Sequence, residues 1–205
     1  MAGRSPAGQR VWGVACDLFY QEGIRAVGVA EIAERSGVGK PSIYRSFESK
    51  DQLAVAYVKA QADPPRDWLE AARGACPGDP LAQLRHVIGA IADRISEPDF
   101  RGCPLANACV EFPDRDHPVH RTAGGLKAEY LEMLADLIAP LPVRDPQGLA
   151  YMLQMLVEGA NVTTQIFSAE RSAAALKEAA ERIIQSFLDA DAPAAPGSSC
   201  GAVAP

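Results

Sequence analysis

The sequence lacks any apolar run long enough to cross a membrane. Nowhere in its 205 residues does a stretch approach the ~20 consecutive apolar residues that span a bilayer. The N-terminal segment, MAGRSPAGQR, also lacks the apolar centre of a signal peptide. We therefore expect a cytoplasmic protein that makes no membrane contact.

The sequence lacks a cysteine spacing that would indicate disulfides or a structural metal site. The five cysteines are odd in number and include no CxxC pair: Cys16, Cys76, Cys103, Cys109 and Cys200. This usage favours reduced thiols over a disulfide framework.

Known catalytic motifs are missing as well. The sequence contains no GxSxG, HExxH, Walker A or Rossmann glycine pattern. Histidines and cysteines occur, but no third group at a recognisable spacing would orient them as a nucleophile pair. We expect no enzyme activity, no catalytic residue and no cofactor.

Positive charge is in deficit overall, but the deficit is uneven. The net charge is −6 and the isoelectric point is about 5.1, which argues against a generally basic nucleic-acid coat. Residues 1–50 contain seven Lys or Arg against five Asp or Glu, a balance of +2. Residues 51–205 contain 13 against 21, a balance of −8. Only the N-terminal part is therefore a candidate to meet a polyanion.

The patterning predicts an all-α protein. No convincing strand alternation occurs, and the 36 alanines favour closely packed helices. We predict a head at 1–50, a larger helical body at 51–192, and a disordered Ala/Pro/Gly/Ser tail at 193–205.

The head has the pattern of a helix-turn-helix. An amphipathic helix from about Ser5 to Gln21 precedes a short helix over Val29–Ser36, with Gly28 as its N-cap. A turn with two glycines follows, and Pro41 begins the next short helix. Two short helices separated by such a turn form a DNA-reading unit. The second helix would present cations, hydroxyls and an aromatic ring to DNA, from Lys40, Ser42, Tyr44, Arg45 and Ser46, with Lys50 just beyond.

The segment from Arg10 to Leu53 resembles the TetR/AcrR family of transcriptional regulators. The run AEIAERSGVGKPSIYRSFESKDQL follows the family signature almost position by position. The resemblance implies phosphate contacts by Tyr44 and Lys50, which taken alone could be a packed aromatic and a solvated lysine. It implies a groove-facing surface at Lys40, Pro41, Ser42, Arg45 and Ser46. Gly28 stands where the family usually has a capping, phosphate-binding Ser or Thr. Ala30 stands at a neighbouring position where other members can have a side chain that contacts a base.

The stretch from Phe100 to Arg121 is rich in Cys, His and carboxylates, yet its spacing fits no standard zinc site, so we expect no metal. It resembles a Gly-Cys-x-x-x-Asn segment of several TetR-type regulators, some of which sense reactive species through the cysteine. Cys103 could be such a thiol, with Arg101 as its neighbour, although a small apolar side chain in a ligand pocket is the favoured interpretation. Asn107 and the run Asp114, Asp116 and His117 are candidates to cap helices and fix loops. The ligand candidates in this stretch are Cys103, Asn107, Phe112 and His117.

Two long helices are predicted near the C-terminus, over about 146–167 and 169–190. Their wide apolar faces resemble the family's dimerisation pair. Two heads about one DNA turn (~34 Å) apart would bind an inverted repeat. The first of these helices could alternatively face a pocket, through Gln154, Glu158, Asn161 and Gln165 with an apolar wall of Tyr151, Met155 and Phe167.

Together these patterns predict a homodimeric repressor that binds a double-stranded DNA operator and is released by a small-molecule effector. The helix from Lys50 to about Ala62 would connect head and body. The alternatives are a redox- or electrophile-sensing repressor that acts through Cys103, and a helical module whose head contacts another protein.

Overall fold

The computed structural model of the protein describes residues 5–188. Within this range every regular element is a helix, which confirms the all-α prediction. In chain order the helices are α1 (Pro6–Gln21), α2 (Val29–Ser36), α3 (Lys40–Ser46), α4 (Lys50–Ala60), α5 (Asp63–Ala75), α6 (Pro80–Ile95), α7 (Pro104–Glu111), α8 (Pro118–Ile138), α9 (Pro146–Thr163) and α10 (Ala169–Leu188). None of these described helices is both long and apolar enough to cross a membrane. The predicted tail, 193–205, lies outside the described residues.

Prolines mark where most helices begin. A proline lies in the first turn of α1, α3 and each of α5 to α9. That position has no intrahelical partner for an N–H, and the fixed φ of proline suits it. The sequence predicts that Pro64 and Pro65 end or kink the preceding helix. Instead of reaching Ala62, α4 ends at Ala60, and the two prolines lie in the first turn of α5, which the pattern did not predict.

The head packs α1 against α2 and α3, as the amphipathic pattern predicts. The buried residues of this head include Val11, Leu18, Phe19, Ile32, Val38, Ile43 and Phe47. Gly37 ends α2 at φ 65°, a left-handed conformation that glycine adopts without a Cβ penalty. The Val38 amide then donates to the Ala33 carbonyl at 3.1 Å, and the Gly37 amide donates to Glu34 at 3.2 Å. This Schellman arrangement turns the chain sharply into α3.

The core of the head continues into the body without a break. Residues Leu53, Tyr57 and Val58 of α4 belong to the same buried cluster as α1–α3, together with Leu105 of α7 and Val119 of α8. A second cluster joins α6, α8, α9 and α10. The predicted boundary at residue 50 therefore falls inside a continuous core, and the division of the chain into two domains stays a prediction.

The end of α9 differs from the prediction. The helix ends at Thr163 instead of Phe167. The Thr163 hydroxyl donates to the Gly159 carbonyl at 2.5 Å, and the Thr164 hydroxyl donates to Asn161 at 3.0 Å. Such bonds compete with the regular helical ladder, and Thr has a modest helix propensity.

Candidate functional site

The third helix presents a polar, exposed face. Ile43 and Phe47 are buried and anchor α3, and the Phe47 ring stacks on Trp12 of α1 with centroids 6.3 Å apart. On the outer side, Tyr44 is 49% exposed. Its exposed or half-buried neighbours are the other predicted contacts, Lys40, Pro41, Ser42, Arg45 and Ser46. This face can meet a DNA groove without any rearrangement of the core.

Gly28 and Lys50 lie at the two ends of the predicted DNA-contacting set. Gly28 is the N-cap of α2, as predicted, and supplies no side-chain bond there. Lys50 begins α4, where the Ser49 hydroxyl accepts a bond from the Gln52 amide at 3.1 Å. The Lys50 Nζ donates to the Arg25 carbonyl at 3.2 Å. Partial burial lowers the pKa of Lys50, and this bond directs its ammonium group toward the turn between α1 and α2.

A cavity of about 530 Å³ lies between the head and the body. Its walls come from α1 and from α4 to α9, seven helices in all. Most of the wall is apolar and includes Trp68, Leu69, Val87, Ile91, Phe100, Met133, Leu134, Leu137 and Val157. Volume and lining are typical of a pocket for a drug-sized molecule.

A partly buried ion pair lies at one part of this wall. Lys127 of α8 forms a short ion pair with Glu158 of α9. Glu158 also accepts bonds from Gln154 at 2.5 Å and from Asn161 at 3.4 Å. Although burial favours the neutral amine, Cys103 and Glu158 outweigh it and raise the pKa of Lys127. The ammonium group is thus held in its charged form inside the body.

The ligand residues predicted from the sequence divide into two groups. Cys103, Gln154 and Asn161 lie on the cavity wall. Glu158 does not line the cavity, but its carboxylate accepts hydrogen bonds from Gln154 and Asn161. The others do not line this cavity: Asn107, Phe112, His117, Tyr151 and Met155, together with Gln165 and Phe167.

The prediction for Tyr151 and Met155 is wrong about their direction. These side chains are 58% and 60% exposed on the outer face of α9, and Phe167, beyond its end, is 67% exposed. They belong to an exposed apolar stripe with Met152, Val162 and Ile166. Helical spacing separates this stripe from Gln154 and Asn161, which face inward.

Asn107, His117 and Phe112 have structural roles instead. Asn107 Nδ2 donates to the Arg101 carbonyl at 3.0 Å and fixes the loop before α7, as the capping alternative predicted. The His117 side chain accepts from the Val119 amide at 3.3 Å at the start of α8. Phe112 stacks on His117 with ring centroids 4.4 Å apart. Within residues 5–188 no three His, Cys, Asp or Glu side chains cluster as metal ligands would.

The sequence did not predict several residues of the cavity wall: Tyr20, Tyr57, Trp68, Lys127 and Tyr130. They come from four helices, and only Lys127 and Tyr130, both on α8, are close in the sequence. The nearest signal was the apolar period of each helix, which does not distinguish a core position from a cavity wall.

Contacts link the body to the head at the turn between α1 and α2. Glu111, at the end of α7, accepts from the Arg25 amide at 2.7 Å, and Arg25 Nη1 donates to the Glu111 carbonyl at 3.2 Å. The Glu111 carboxylate also lies 3.3 Å from where a Cβ on Gly23 would be, so glycine at φ 95° allows this approach. Lys50 of α4 bonds the same residue, because its Nζ donates to the Arg25 carbonyl. Helices α4 and α7 therefore both run from the cavity to one point of the head.

Comparison with known proteins gives a consistent result over both parts of the chain. Residues 13–57 match the family of bacterial regulatory proteins called tetR. Residues 80–182 match the tetracyclin repressor-like C-terminal domain. The crystal structure of SCO4454, a TetR-family transcriptional regulator from Streptomyces coelicolor, is 33% identical with a TM-score of 0.85, over 89% of this chain and 96% of that chain.

Two curated proteins are also similar. The HTH-type transcriptional regulator YjdC of Escherichia coli (strain K12) is 25% identical over 152 residues, which cover 73% of this chain and 78% of that protein. The HTH-type transcriptional activator FasR of Mycolicibacterium smegmatis is 41% identical over 49 residues, 24% of this chain and 22% of that protein.

Proposed function

This chain belongs to the TetR family of DNA-binding transcriptional regulators, and we propose that it is a homodimeric repressor released from an inverted-repeat operator by a small molecule. The observation that carries the proposal is the position of the cavity. Cys16, Asp17 and Tyr20 of the head's α1 form part of its wall, so a bound molecule would contact the head directly.

The exposed face of α3 supports the assignment of the DNA contacts. Arg45 and Lys40 are suited to guanine edges or phosphates, and Ser42, Ser46 and Tyr44 to phosphate oxygens, sugars or thymine methyls. Lys50 would add a phosphate contact, and Pro41 and the Gly28 backbone complete the surface. Sequence-specific recognition of the DNA would depend on few side chains, because Gly28 and Ala30 supply no side chain from α2 that could hydrogen-bond a base.

The exposed stripe along α9 and the turn that follows it supports dimerisation through α9 and α10. Tyr151, Met152, Met155, Val162 and Ile166 leave an apolar surface that a second copy of the chain would cover. In an isologous dimer the same stripe serves both subunits. Two heads about one DNA turn apart would then read the two halves of an inverted repeat.

Release would follow from a shift between two head positions. Helix α4 has Tyr57 on the wall and contacts Arg25 through its first residue, Lys50. Helix α7 has Cys103 and Pro104 on the wall at its start and contacts Arg25 through its last residue, Glu111. A molecule that binds better to one arrangement of these helices shifts the population toward that arrangement. The reciprocal consequence is that operator DNA weakens ligand binding by the same factor.

The test begins with selection of genomic fragments by the purified full-length protein. A recovered inverted repeat is then titrated by fluorescence anisotropy, with and without compounds suggested by the neighbouring genes. A reporter behind that operator gives the direction of control: deletion of the regulator should raise expression. Lower expression would make it an activator, the role in the name of FasR. Failure to select any duplex would favour the protein-interaction alternative.

A second candidate is electrophile sensing through Cys103. The favouring observation is that its thiol lies on the cavity wall beside the Lys127 ammonium group. In that case Cys103→Ser should keep operator affinity but lose release by oxidants or electrophiles. If the wild-type protein is also insensitive to them, non-covalent ligand binding is the mechanism.

A further inference from the structure

The hydroxyl of Tyr57 differs from those of the other cavity tyrosines. The Tyr20 hydroxyl accepts from the Arg101 amide at 2.7 Å and donates to the Gly102 carbonyl at 3.2 Å. The Tyr130 hydroxyl donates to the Gln61 carbonyl at 2.5 Å. Tyr57 is only 3% exposed, yet its hydroxyl has no hydrogen-bond partner among residues 5–188. Burial raises the pKa of this phenol, so it is a neutral donor.

A buried hydroxyl without a partner is costly, and native proteins rarely keep one without a reason. Tyr57 lies on the cavity wall, and the groups that influence its hydroxyl include Cys16, Tyr20 and Cys103, which line the same cavity. A ligand oxygen in this part of the cavity would accept the missing bond.

The charged residues on the cavity wall indicate whether the ligand that carries this oxygen is charged or neutral. The two cations that line the cavity already have carboxylate partners. Lys127 is paired with Glu158, and Arg94 is paired with Glu97 at 2.8 Å and Asp99 at 3.1 Å. An anionic ligand would have to compete for them, and Asp17 on the same wall would oppose it.

We propose that the cavity binds an uncharged, largely apolar molecule with a carbonyl, ether or hydroxyl oxygen that accepts a hydrogen bond from Tyr57. This rests on the proposed function and specifies its ligand class. The Tyr57 ring packs edge-on against Phe19 of α1, with centroids 5.6 Å apart. The residue that selects the ligand oxygen therefore also contacts the head, so recognition and response share one side chain.

The test uses Prodan, a neutral naphthalene with one ketone, whose emission shifts to longer wavelength when that ketone accepts a hydrogen bond. Prodan is titrated into the full-length protein without DNA. Tyr57→Phe should weaken its binding about three- to tenfold and shift its bound emission to shorter wavelength. Tyr151→Phe, which removes the same hydroxyl from the exposed face of α9, should change neither. The matching naphthoate, with a carboxylate in place of the ketone, should bind at least about tenfold more weakly to the wild-type protein.

A thermal melt separates ligand recognition from a structural role. Without ligand, Tyr57→Phe should melt at the same temperature as the wild-type protein or higher, because the change removes a buried hydroxyl without a partner. A lower melting temperature would mean that the hydroxyl is bonded within the protein. The proposal is also overturned if Prodan fails to bind the wild-type protein, binds Tyr57→Phe equally well, or binds no better than the naphthoate.

Operator titration of the same variants separates this proposal from the proposed function. If Tyr57→Phe binds operator DNA normally while its Prodan affinity is unchanged, the ligand class is wrong and the regulator assignment stands. If no duplex is bound by any of the proteins, the regulator assignment fails, whatever the probe shows.

Discussion

The head and the body provide opposite kinds of binding surface. The candidate DNA-contacting residues, apart from Gly28, lie in one short segment, 40–50, and most of their side chains are exposed. The cavity is lined by side chains from seven helices, and its polar groups are largely buried and already bonded to one another. The exposed side chains of α3 can be changed without disturbing the core, whereas a cavity wall is part of the core.

This contrast has a testable consequence. Substitutions on the exposed face of α3 should change DNA binding and leave stability unaffected, while substitutions that remove packed or ion-paired groups around the cavity should change both stability and ligand binding. The outer face of α9 belongs to neither class, since it should determine only whether two heads act together. The variants below test these expectations from the largest effect to the smallest.

Met155→Glu should have the largest effect, because it would place a carboxylate from each subunit in the proposed dimer interface. Burial of each ion costs several kcal/mol. Light scattering should show a monomer of 21.8 kDa instead of a dimer of twice that mass. Affinity for an inverted repeat should fall with it. Val110→Glu is the matched control, since Val110 is 80% exposed on α7, away from the stripe. A Met155→Glu protein that stays dimeric would exclude this face as the interface.

Arg45→Ala should come next. A bidentate contact to guanine is worth about 1–3 kcal/mol, so two heads should lose about 2–6 kcal/mol of specific binding. The free energy of unfolding should change by less than about 0.5 kcal/mol, because the side chain is exposed. Anisotropy titrations on operator and scrambled DNA measure the first quantity, and urea unfolding the second. Arg73→Ala, an exposed arginine on α5, is the control. Equal losses on both duplexes would make Arg45 a phosphate contact.

The same contrast explains what the sequence could predict. The helix-turn-helix depends on local signals, namely the turn at Gly37, the proline that begins α3 and the apolar stripe of α1. Their physics acts over a few residues, and the predicted bounds of α2 agree with the structure.

The cavity depends on which helices become neighbours. Lys127 and Glu158 are 31 positions apart, and nothing local connects them. For the same reason the sequence predicted the wrong direction for the side chains of Tyr151 and Met155. A helix with two apolar faces does not by itself indicate which one is covered by its own chain and which one is left for a partner.

Glu158→Gln tests the body. The change leaves the Lys127 ammonium group largely buried without its carboxylate. Loss of one member of a fully buried pair costs about 3–5 kcal/mol, and partial exposure reduces the expected loss here to about 1–3 kcal/mol. Urea unfolding at neutral pH measures it. Glu178→Gln, which breaks an exposed pair with Arg182, should cost less than about 0.5 kcal/mol. Equal costs would mean that the Lys127–Glu158 pair is effectively solvated.

The pH dependence of this stabilisation has a definite sign. The pKa of Lys127 is raised in the folded protein, so its contribution is fully present below the ordinary lysine value of 10.5. It is lost as pH rises through the folded-state pKa. The difference in unfolding free energy between the wild-type protein and Lys127→Met should therefore be constant from neutral pH to about pH 9 and decrease above the ordinary lysine value. A difference that grows with pH would contradict the direction of the shift.

Lys50→Ala should have the smallest effect. It tests the contrast between head and body at their junction, where one side chain could belong to both. Lys50 belongs to the head by its predicted phosphate contact and to the junction with the body by its bond to Arg25. Loss of a phosphate contact should weaken binding to operator and scrambled DNA alike, and should reduce the slope of log affinity against log salt by about one unit per head. Loss of the bond to Arg25 should cost about 1 kcal/mol of stability, unlike Arg45→Ala. If the salt slope is unchanged while stability falls, Lys50 acts only at the junction, and the DNA-binding surface ends with α3.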